Sequence, residues 1–536
     1  MAALVGCNGV YDALDSSEPG FDQPPRSSSG KILGPEDIPL SAARRLSRAE
    51  LDQTLFDLLG NPSRLGSANL PEDNQEREGL FLHWPFDNVY PLQTTDRVLV
   101  QAFETLASTA AQELVSDEEQ RARIVGCEPT SATDEACLLG FIRDFGRRAF
   151  RRPLTDAEVD NYFRLQMFAE ETGEFYVAVR AIVTAMLQAP DFLYRVEVGT
   201  EVPGLDGVYR LDDYEIATRM SYFLLGTTPP TWLLDQADAG LLRTPDEREV
   251  AARRLLEDPQ ALNQVDRFHS MWLGYGSLPH SPELTTAMRN ETRALLERVI
   301  FEEDRPYLDL FRIDETYVDT MLAEHYGLPA PMEESWVSYG DSGRSGILSH
   351  GSVLSAFATA SDTSVTKRGV FVRERLMCQE IPPPPPTVNV DDLPETNCKS
   401  ELIEVHQMGA CGGCHSLMDP IGWGLENYDS AGVFRLHDTD KPECEIAGDG
   451  EIVMVGTFRG PGELGTLLVE DGSLEGCAVR QVVRFAFGRE ETAEDEAFIE
   501  EVVSRRRGSG WSYVDLVVGL VASDRFALRR EREMDQ

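Results

Sequence analysis

The chain has 536 residues, a length that allows roughly three to five domains. It contains 49 Lys and Arg against 92 Asp and Glu, which gives a formal net charge of −43. A field of that sign repels phosphate backbones and anionic lipid head groups, which argues against nucleic-acid binding and against membrane docking through a basic patch. With 42% hydrophobic and 26% charged residues, the composition is typical of a globular protein.

The N-terminal residues resemble the end of a bacterial lipoprotein signal. Leu4-Val5-Gly6-Cys7 has the form of a lipobox, in which Cys7 becomes the lipidated residue. Only six residues precede Cys7, so we interpret the segment as a truncated signal, with chance resemblance as the alternative. A Ser-, Pro- and Gly-rich stretch follows at 16–30 and would serve as a tether. No apolar run is long enough to predict a transmembrane helix. We therefore expect an exported protein, in the periplasm or at the outer membrane or cell surface, that contacts a membrane only through a lipid anchor.

Helical signals dominate the sequence after the tether. Three capping boxes mark helix starts, each a Ser or Thr followed three residues later by Glu: Ser47-Arg48-Ala49-Glu50, Thr155-Asp156-Ala157-Glu158 and Thr244-Pro245-Asp246-Glu247. Alternating strand patterns are few, and the clearest covers 451–458. The sequence therefore predicts a mainly α-helical protein of several modules.

Nine cysteines indicate an oxidising compartment. If Cys7 carries lipid and Cys411 and Cys414 have their own chemistry, the remaining six suit three disulfides. The pairs we expect are Cys127 with Cys137, Cys378 with Cys398, and Cys444 with Cys477. The alternative is that some of these are buried thiols.

Two stretches interrupt the helical pattern near the C-terminal third. Pro382 to Pro386 is a run of five prolines, which favours a polyproline II spacer or, equally, a rigid edge packed on a neighbour. Residues 438–450 form a second, polar and loop-like stretch.

The chemistry concentrates at Cys411-Gly412-Gly413-Cys414-His415, a CxxCH motif. Its two thiols are spaced to add across the vinyl groups of a haem, and the following imidazole is placed to ligate the iron. One competing interpretation is zinc bound by Cys411, Cys414 and either His415 or Cys444, and another is a thioredoxin-like dithiol. Because neither a second paired-ligand motif nor a βαβ pattern is visible, the motif favours haem c.

The chain resembles a known family over nearly its whole length. The CxxCH motif, Met418-Asp419-Pro420-Ile421-Gly422, Glu426-Asn427-Tyr428-Asp429, Gly432 and Arg435 are similar to the signature of planctomycete and myxobacterial cytochrome-linked surface proteins. These are built from domains of unknown function 1587, 1595, 1592, 1588 and 1585, in that order. Further similarity lies at 45–50, 57–60, 145–155, 190–195, 214–224, 322–328, 344–348, 368–369, 485–489 and 523–526. The resemblance implies a c-type haem and supplies no activity.

Together these features predict a helical protein with an embedded cytochrome c-like haem module. The expected segments are a lipobox and tether at 1–40, helical modules at 41–115, 116–204 and 205–280, a fourth module ending in the proline linker at 281–386, the haem c module at 387–440 and a C-terminal helical module at 441–536.

Six residues after the motif are predicted to support it: Asp419, Pro420, Gly422, Glu426, Asp429 and Arg435. Asp419-Pro420 and the glycines that follow favour a tight, irregular path around a flat cofactor. We expect Glu426 and Asp429 to form ion pairs with Arg435. The alternative is that one of them holds the second ring nitrogen of His415.

His415 is the expected proximal iron ligand. Met454 is the first candidate for the opposite face and His406 is the alternative, with His350, Met408, His437 and an open position also considered. We expect a haem c protein that transfers electrons to a redox partner with a basic docking face. The rivals are a peroxidase-like or other haem-linked oxidoreductase, and a cell-surface binding scaffold with a structural haem or zinc site.

Overall fold

The structure is a computed structural model of the chain. It describes residues 25–27, 31–60, 63–73, 77–78, 81–82, 85–93, 95–358, 362–381, 396–408, 411–439, 441–506 and 510–531. Of these residues 58% are helical and the sheets are small, so the predicted mainly α class is confirmed. Within these residues, no helix combines the length and apolarity that a membrane crossing requires. The lipobox around Cys7, most of the tether and the five-proline run lie outside them.

The first part of the chain is a helical unit with its own apolar core, which runs from Leu46 to Leu193 and includes Tyr222. Its helices are α1 (Arg48–Leu59), α2 (Leu65–Asn69), α3 (Arg97–Ser116), α4 (Glu118–Val125), α5 (Glu135–Phe150), α6 (Asp156–Phe163), α7 (Met167–Thr172), α8 (Phe175–Met186) and α9 (Pro190–Leu193). Short 3₁₀ turns occur at Pro35–Asp37, Tyr90–Leu92 and Arg164–Gln166.

Most of the remaining helices contribute to a second, larger core that takes side chains from Phe86 to Ala527. They are α10 (Asp213–Leu224), α11 (Thr231–Asp238), α12 (Pro245–Leu256), α13 (Gln260–Leu273), α14 (Pro282–Glu297), α15 (Thr320–Tyr326), α16 (Gly351–Ala356), α17 (Val365–Val370), α18 (Lys399–His406), α19 (Gly412–Trp423), α20 (Gly460–Asp471), α21 (Ser473–Phe487), α22 (Ala493–Arg506) and α23 (Tyr513–Ala522). Irregular turns are π-helical at Arg298–Glu302 and Phe371–Leu376 and 3₁₀ at Tyr307–Phe311, Ile347–Ser349 and Asp524–Ala527.

The three predicted helix starts are confirmed at α1, α6 and α12. At α1, the Ser47 hydroxyl accepts a hydrogen bond from the Glu50 backbone N–H, and the Ser47 N–H donates to the Glu50 carboxylate at 2.9 Å. Two N–H groups that lack a partner within the helix are thereby satisfied. Thr155 and Thr244 build the same pair of bonds at the other two helices.

The strands are short and pair antiparallel in small sheets. They are β1 (Arg44–Arg45), β2 (Arg77–Glu78), β3 (Phe81–Leu82), β4 (Tyr194–Arg195), β5 (Thr200–Glu201), β6 (Val208–Arg210), β7 (Glu315–Val318), β8 (Ser335–Ser338), β9 (His437–Asp438), β10 (Lys441–Glu445), β11 (Asp449–Ile452), β12 (Gly456–Arg459) and β13 (Leu528–Arg530). The two-stranded pairs are β1–β4, β2–β3, β7–β8, β9–β10 and β11–β12. The three-stranded sheet β5–β6–β13 brings Leu528 opposite Arg210, which ties the C-terminal strand to the middle of the chain.

The strand predicted across 451–458 is instead a hairpin. Ile452 of β11 pairs with Gly456 of β12, so three residues form the turn between them. Met454 occupies the middle of this turn with a φ of +68°, in the left-handed region. A three-residue hairpin loop commonly places one residue there, and the alternating pattern of the sequence continues across the turn without marking it.

Three disulfides join six of the described cysteines. Cys127 bonds Cys137 as expected, but the predicted pairs of Cys378 with Cys398 and of Cys444 with Cys477 are wrong. The structure pairs Cys378 with Cys477 and Cys398 with Cys444. The reason is tertiary: the π-helical turn before Cys378 lies against α21, which carries Cys477, over a separation of 99 residues.

Candidate functional site

The CxxCH motif forms the start of α19. Cys411 immediately precedes the helix, and the His415 N–H donates to the Cys411 carbonyl at 3.0 Å, which closes the first turn. Residues three and four apart in a helix lie on one face, so this turn carries both thiols and the imidazole on neighbouring positions. Cys411 and Cys414 are free and half-buried. Cys414 packs against Val370, Ile381 and Met418.

Asp419 lies one turn after His415 and holds two imidazoles. Its Oδ2 is 3.0 Å from His415 Nδ1 and 2.9 Å from His406 Nδ1, and its Oδ1 accepts a hydrogen bond from Thr366 Oγ1 at 2.8 Å. Burial works to raise the pKa of this carboxyl, but the hydrogen bonds from His415, Thr366 and His406 outweigh it and hold the pKa below its usual value. Asp419, and neither Glu426 nor Asp429, is therefore the partner that fixes the His415 ring.

The residues after the motif continue the helix instead of forming the irregular path that we predicted. Asp419, Pro420 and Gly422 all lie within α19. The glycine has a packing role, because a Cβ on Gly422 would lie 1.8 Å from the Val365 carbonyl oxygen of α17. A Cβ on Gly369 of α17 would meet the Met418 carbonyl oxygen at 1.9 Å. The two helices thus approach closely at both positions, which only glycine permits.

Glu426 is the centre of a buried charge cluster. Its carboxylate is fully buried and lies 2.5 Å from Arg435, 2.7 Å from Lys399 and 3.3 Å from Arg368. The Thr363 hydroxyl also donates to it. The predicted ion pair of Glu426 with Arg435 is present. The other three partners come from segments 27 to 63 residues earlier, and no sequence pattern predicts them.

Asp429 does not join this cluster but shapes the loop after it. Its carboxylate accepts hydrogen bonds from the backbone N–H groups of Ala431 and Val433. Arg368 also holds this loop, since its guanidinium donates hydrogen bonds to the backbone carbonyls of Leu425, Tyr428 and Asp429. Burial lowers the pKa of Arg368, and Glu426 opposes that effect.

A cavity of about 590 Å³ lies beside the motif. It is lined by His406 and Asp419, the two residues that contact each other next to the motif, and by Thr363, Thr366 and Lys399. A volume of this size is within the range of small-molecule sites. The wall is rich in hydroxyl and charged groups, so it suits a polar ligand.

The structure places the candidates for the sixth iron ligand in different environments. Met454 is fully exposed at the hairpin tip, Met408 is 62% exposed, and His437 is exposed on β9. His350 is buried, and its Nδ1 lies 3.0 Å from the Thr292 hydroxyl. His406 is close, but its ring centroid lies 4.1 Å from that of His415, too close for a macrocycle between them. In this arrangement His406 stands beside His415 and not opposite it.

Family models match five stretches of the chain, each described as a protein of unknown function: 44–116 (DUF1587), 137–197 (DUF1595), 211–328 (DUF1592), 344–438 (DUF1588) and 456–526 (DUF1585). The stretch at 344–438 holds the CxxCH motif and the Glu426 cluster, and its model carries the name PSCyt3, which hints at a link to cytochromes. Searches of curated proteins and of solved structures found no match. With all five modules in this order, the chain belongs to the PSD/PSCyt family of proteins.

Proposed function

We propose that the protein is an exported c-type haem protein that transfers electrons in the cell envelope. The haem would be held in a cytochrome c-like segment by Cys411, Cys414 and His415. One observation carries this proposal: of the eight cysteines that the structure describes, six form disulfides and the two left free are those of the CxxCH motif. Two reduced thiols are what covalent attachment requires.

The donor set fits a haem c. Each thiol would add across a vinyl group, so that a carbon–sulfur bond forms and the thiol hydrogen passes to the neighbouring vinyl carbon. The His415 Nδ1 lies 3.0 Å from Asp419 Oδ2, so the Nδ1–H group donates a hydrogen bond to that carboxylate. The lone pair on Nε2 is then left for the iron. When bound, the haem supplies a one-electron iron couple. Asp419 would orient the ligand and raise its basicity.

Co-expression with a cytochrome c maturation system tests the attachment. We expect a haem-staining band on a denaturing gel and a pyridine haemochrome of the c type. Both should be lost in the Cys411→Ser/Cys414→Ser variant. The matched control is Cys127→Ser/Cys137→Ser, which removes two cysteines elsewhere and should keep the stain. A colourless protein after maturation would overturn the proposal.

Export is the second part of the proposal. Three disulfides favour an oxidising compartment, and the lipobox at Cys7 supplies a route to the envelope. Mass spectrometry of the mature N-terminus, after expression with the upstream coding sequence restored, tests it. We expect a lipid on Cys7. An unmodified chain that stays in the cytoplasm would contradict export.

A haem-linked redox enzyme is the second candidate, favoured by the cavity next to His406 and Asp419. Ferric spectra separate the two functions. A low-spin iron with the weak red band of thioether ligation, lost in Met454→Ala, supports electron transfer through a six-coordinate haem. A high-spin iron that binds cyanide readily supports the enzyme.

The third interpretation is a scaffold with a zinc site built on the motif cysteines. Cys444 is no longer a candidate ligand for that site, because it is bonded to Cys398.

A further inference from the structure

Three metal-binding atoms meet at Asp419. One ring nitrogen of His406, one ring nitrogen of His415 and a carboxylate oxygen of Asp419 all lie within 4.8 Å of one another. The two imidazole contacts to Oδ2 measure 2.9 and 3.0 Å. Ligand atoms about 2.1 Å from a tetrahedral zinc ion are separated by about 3.4 Å. The two imidazole-to-carboxylate distances lie within about 0.5 Å of that spacing, so two imidazoles and one carboxylate are gathered around one point.

The surroundings resemble those of a metal site with one open position. Asp419 is fully buried, and the side chains of His406 and His415 are only 12% and 22% exposed. Thr366 holds the second oxygen of Asp419 at 2.8 Å, which fixes the direction of the carboxylate. His406 and Asp419 also line the cavity of about 590 Å³, so water or a small ligand can reach a fourth position.

We propose that the haem-free protein binds one Zn²⁺ through His406 Nδ1, His415 Nδ1 and Asp419. Two nitrogen donors favour zinc over the oxygen-preferring Ca²⁺ and Mg²⁺. A neutral imidazole that binds zinc through Nδ1 carries its proton on Nε2, so His415 cannot then offer Nε2 to a haem iron. Zinc and haem therefore exclude each other at His415. Bound zinc would then be found on chains that have not yet received haem.

The ligand set separates this site from one built on the motif cysteines. We would express the full chain without the maturation system and measure zinc per chain by elemental analysis and zinc affinity by titration calorimetry. We expect one zinc in the wild type, in Cys411→Ser/Cys414→Ser and in His437→Ala, a matched control on an exposed histidine. His406→Ala should weaken zinc binding more than about 100-fold, because loss of an outer-shell partner alone costs 10- to 100-fold.

Cobalt substitution gives a second measurement that does not depend on affinity. Bound Co²⁺ should show visible d–d bands without thiolate-to-cobalt charge transfer, and His406→Gln, a more conservative change, should abolish the bands while circular dichroism stays unchanged. Haem staining after maturation should persist in His406→Ala, so failure of this site and failure of haem attachment give different results. A haem-free protein without zinc, zinc lost with the two cysteines, or zinc retained in both His406 variants would overturn the inference.

Discussion

The charge cluster around Glu426 makes a quantitative prediction about stability. Its carboxylate is fully buried between three cations, and the side chain of Arg368 is itself only 3% exposed. In Glu426→Gln the volume is kept but the counter-charge is lost, so three positive groups face each other in a buried site. Removing one partner of a buried ion pair costs about 3–5 kcal/mol, because the remaining charge is left without compensation. We expect a loss of that size.

Hydrogen exchange followed by mass spectrometry measures this loss where it arises. A chain with several modules need not unfold in one step, so peptides over 412–435 report the local opening free energy better than a global melt does. Glu451→Gln is the matched control, since Glu451 is exposed on β11. Unchanged exchange in Glu426→Gln, or a loss below about 1 kcal/mol as for a surface pair, would refute the assignment of Glu426 as the central counter-charge.

Three further predictions concern packing, pH and charge. Gly422→Ala should destabilise the contact of α17 with α19, whereas Gly140→Ala, whose new Cβ meets nothing within 4 Å, should not; denaturant midpoints compare them. Burial lowers the pKa of His269 to about 4, so the neutral form is favoured in the folded chain and stability is lost as pH falls below the ordinary value of 6.5. At one pH unit below that value, the free energy of unfolding should be lower by about 1.4 kcal/mol. Urea titrations at the two pH values measure this loss, which should be absent in His269→Gln. If a basic partner docks on this chain of charge −43, stopped-flow electron exchange should slow steeply as salt passes about 0.1 M, and a salt-independent rate would contradict such docking.

Short-range sequence signals predict the local structure correctly. The Ser47 and Glu50 capping box fixes a helix start because both of its hydrogen bonds form within four residues, whatever the rest of the chain does. The same holds for the CxxCH motif, whose spacing becomes one helical turn. Asp419 could have been found as the partner of His415 by the same reasoning, since residues four apart share a helix face.

Interactions between distant segments were beyond sequence reasoning. Cys378 and Cys477 lie 99 residues apart and pair only because α21 packs on the turn before Cys378. Thr363 and Arg368 precede the proline run in the sequence, whereas Glu426 follows it. No pattern in the sequence around Thr363 or Arg368 indicates that they contact Glu426. The strand predicted across 451–458 rested on an alternating pattern that does not distinguish one strand from a tight hairpin.

The motif region is packed onto the body of the protein. Ile421 and Leu425, one within α19 and one just after it, belong to the same apolar core that takes side chains from Phe86 to Ala527. Gly369 and Gly422 allow α17 to lie directly on α19, and both helices belong to the matched stretch at 344–438. A haem attached at Cys411 would therefore keep a fixed position on the body and would not swing on a linker. Any electron partner would then have to come to that surface, so its recognition would depend on the shape and charge presented there, and its rate of association on the field of the whole chain.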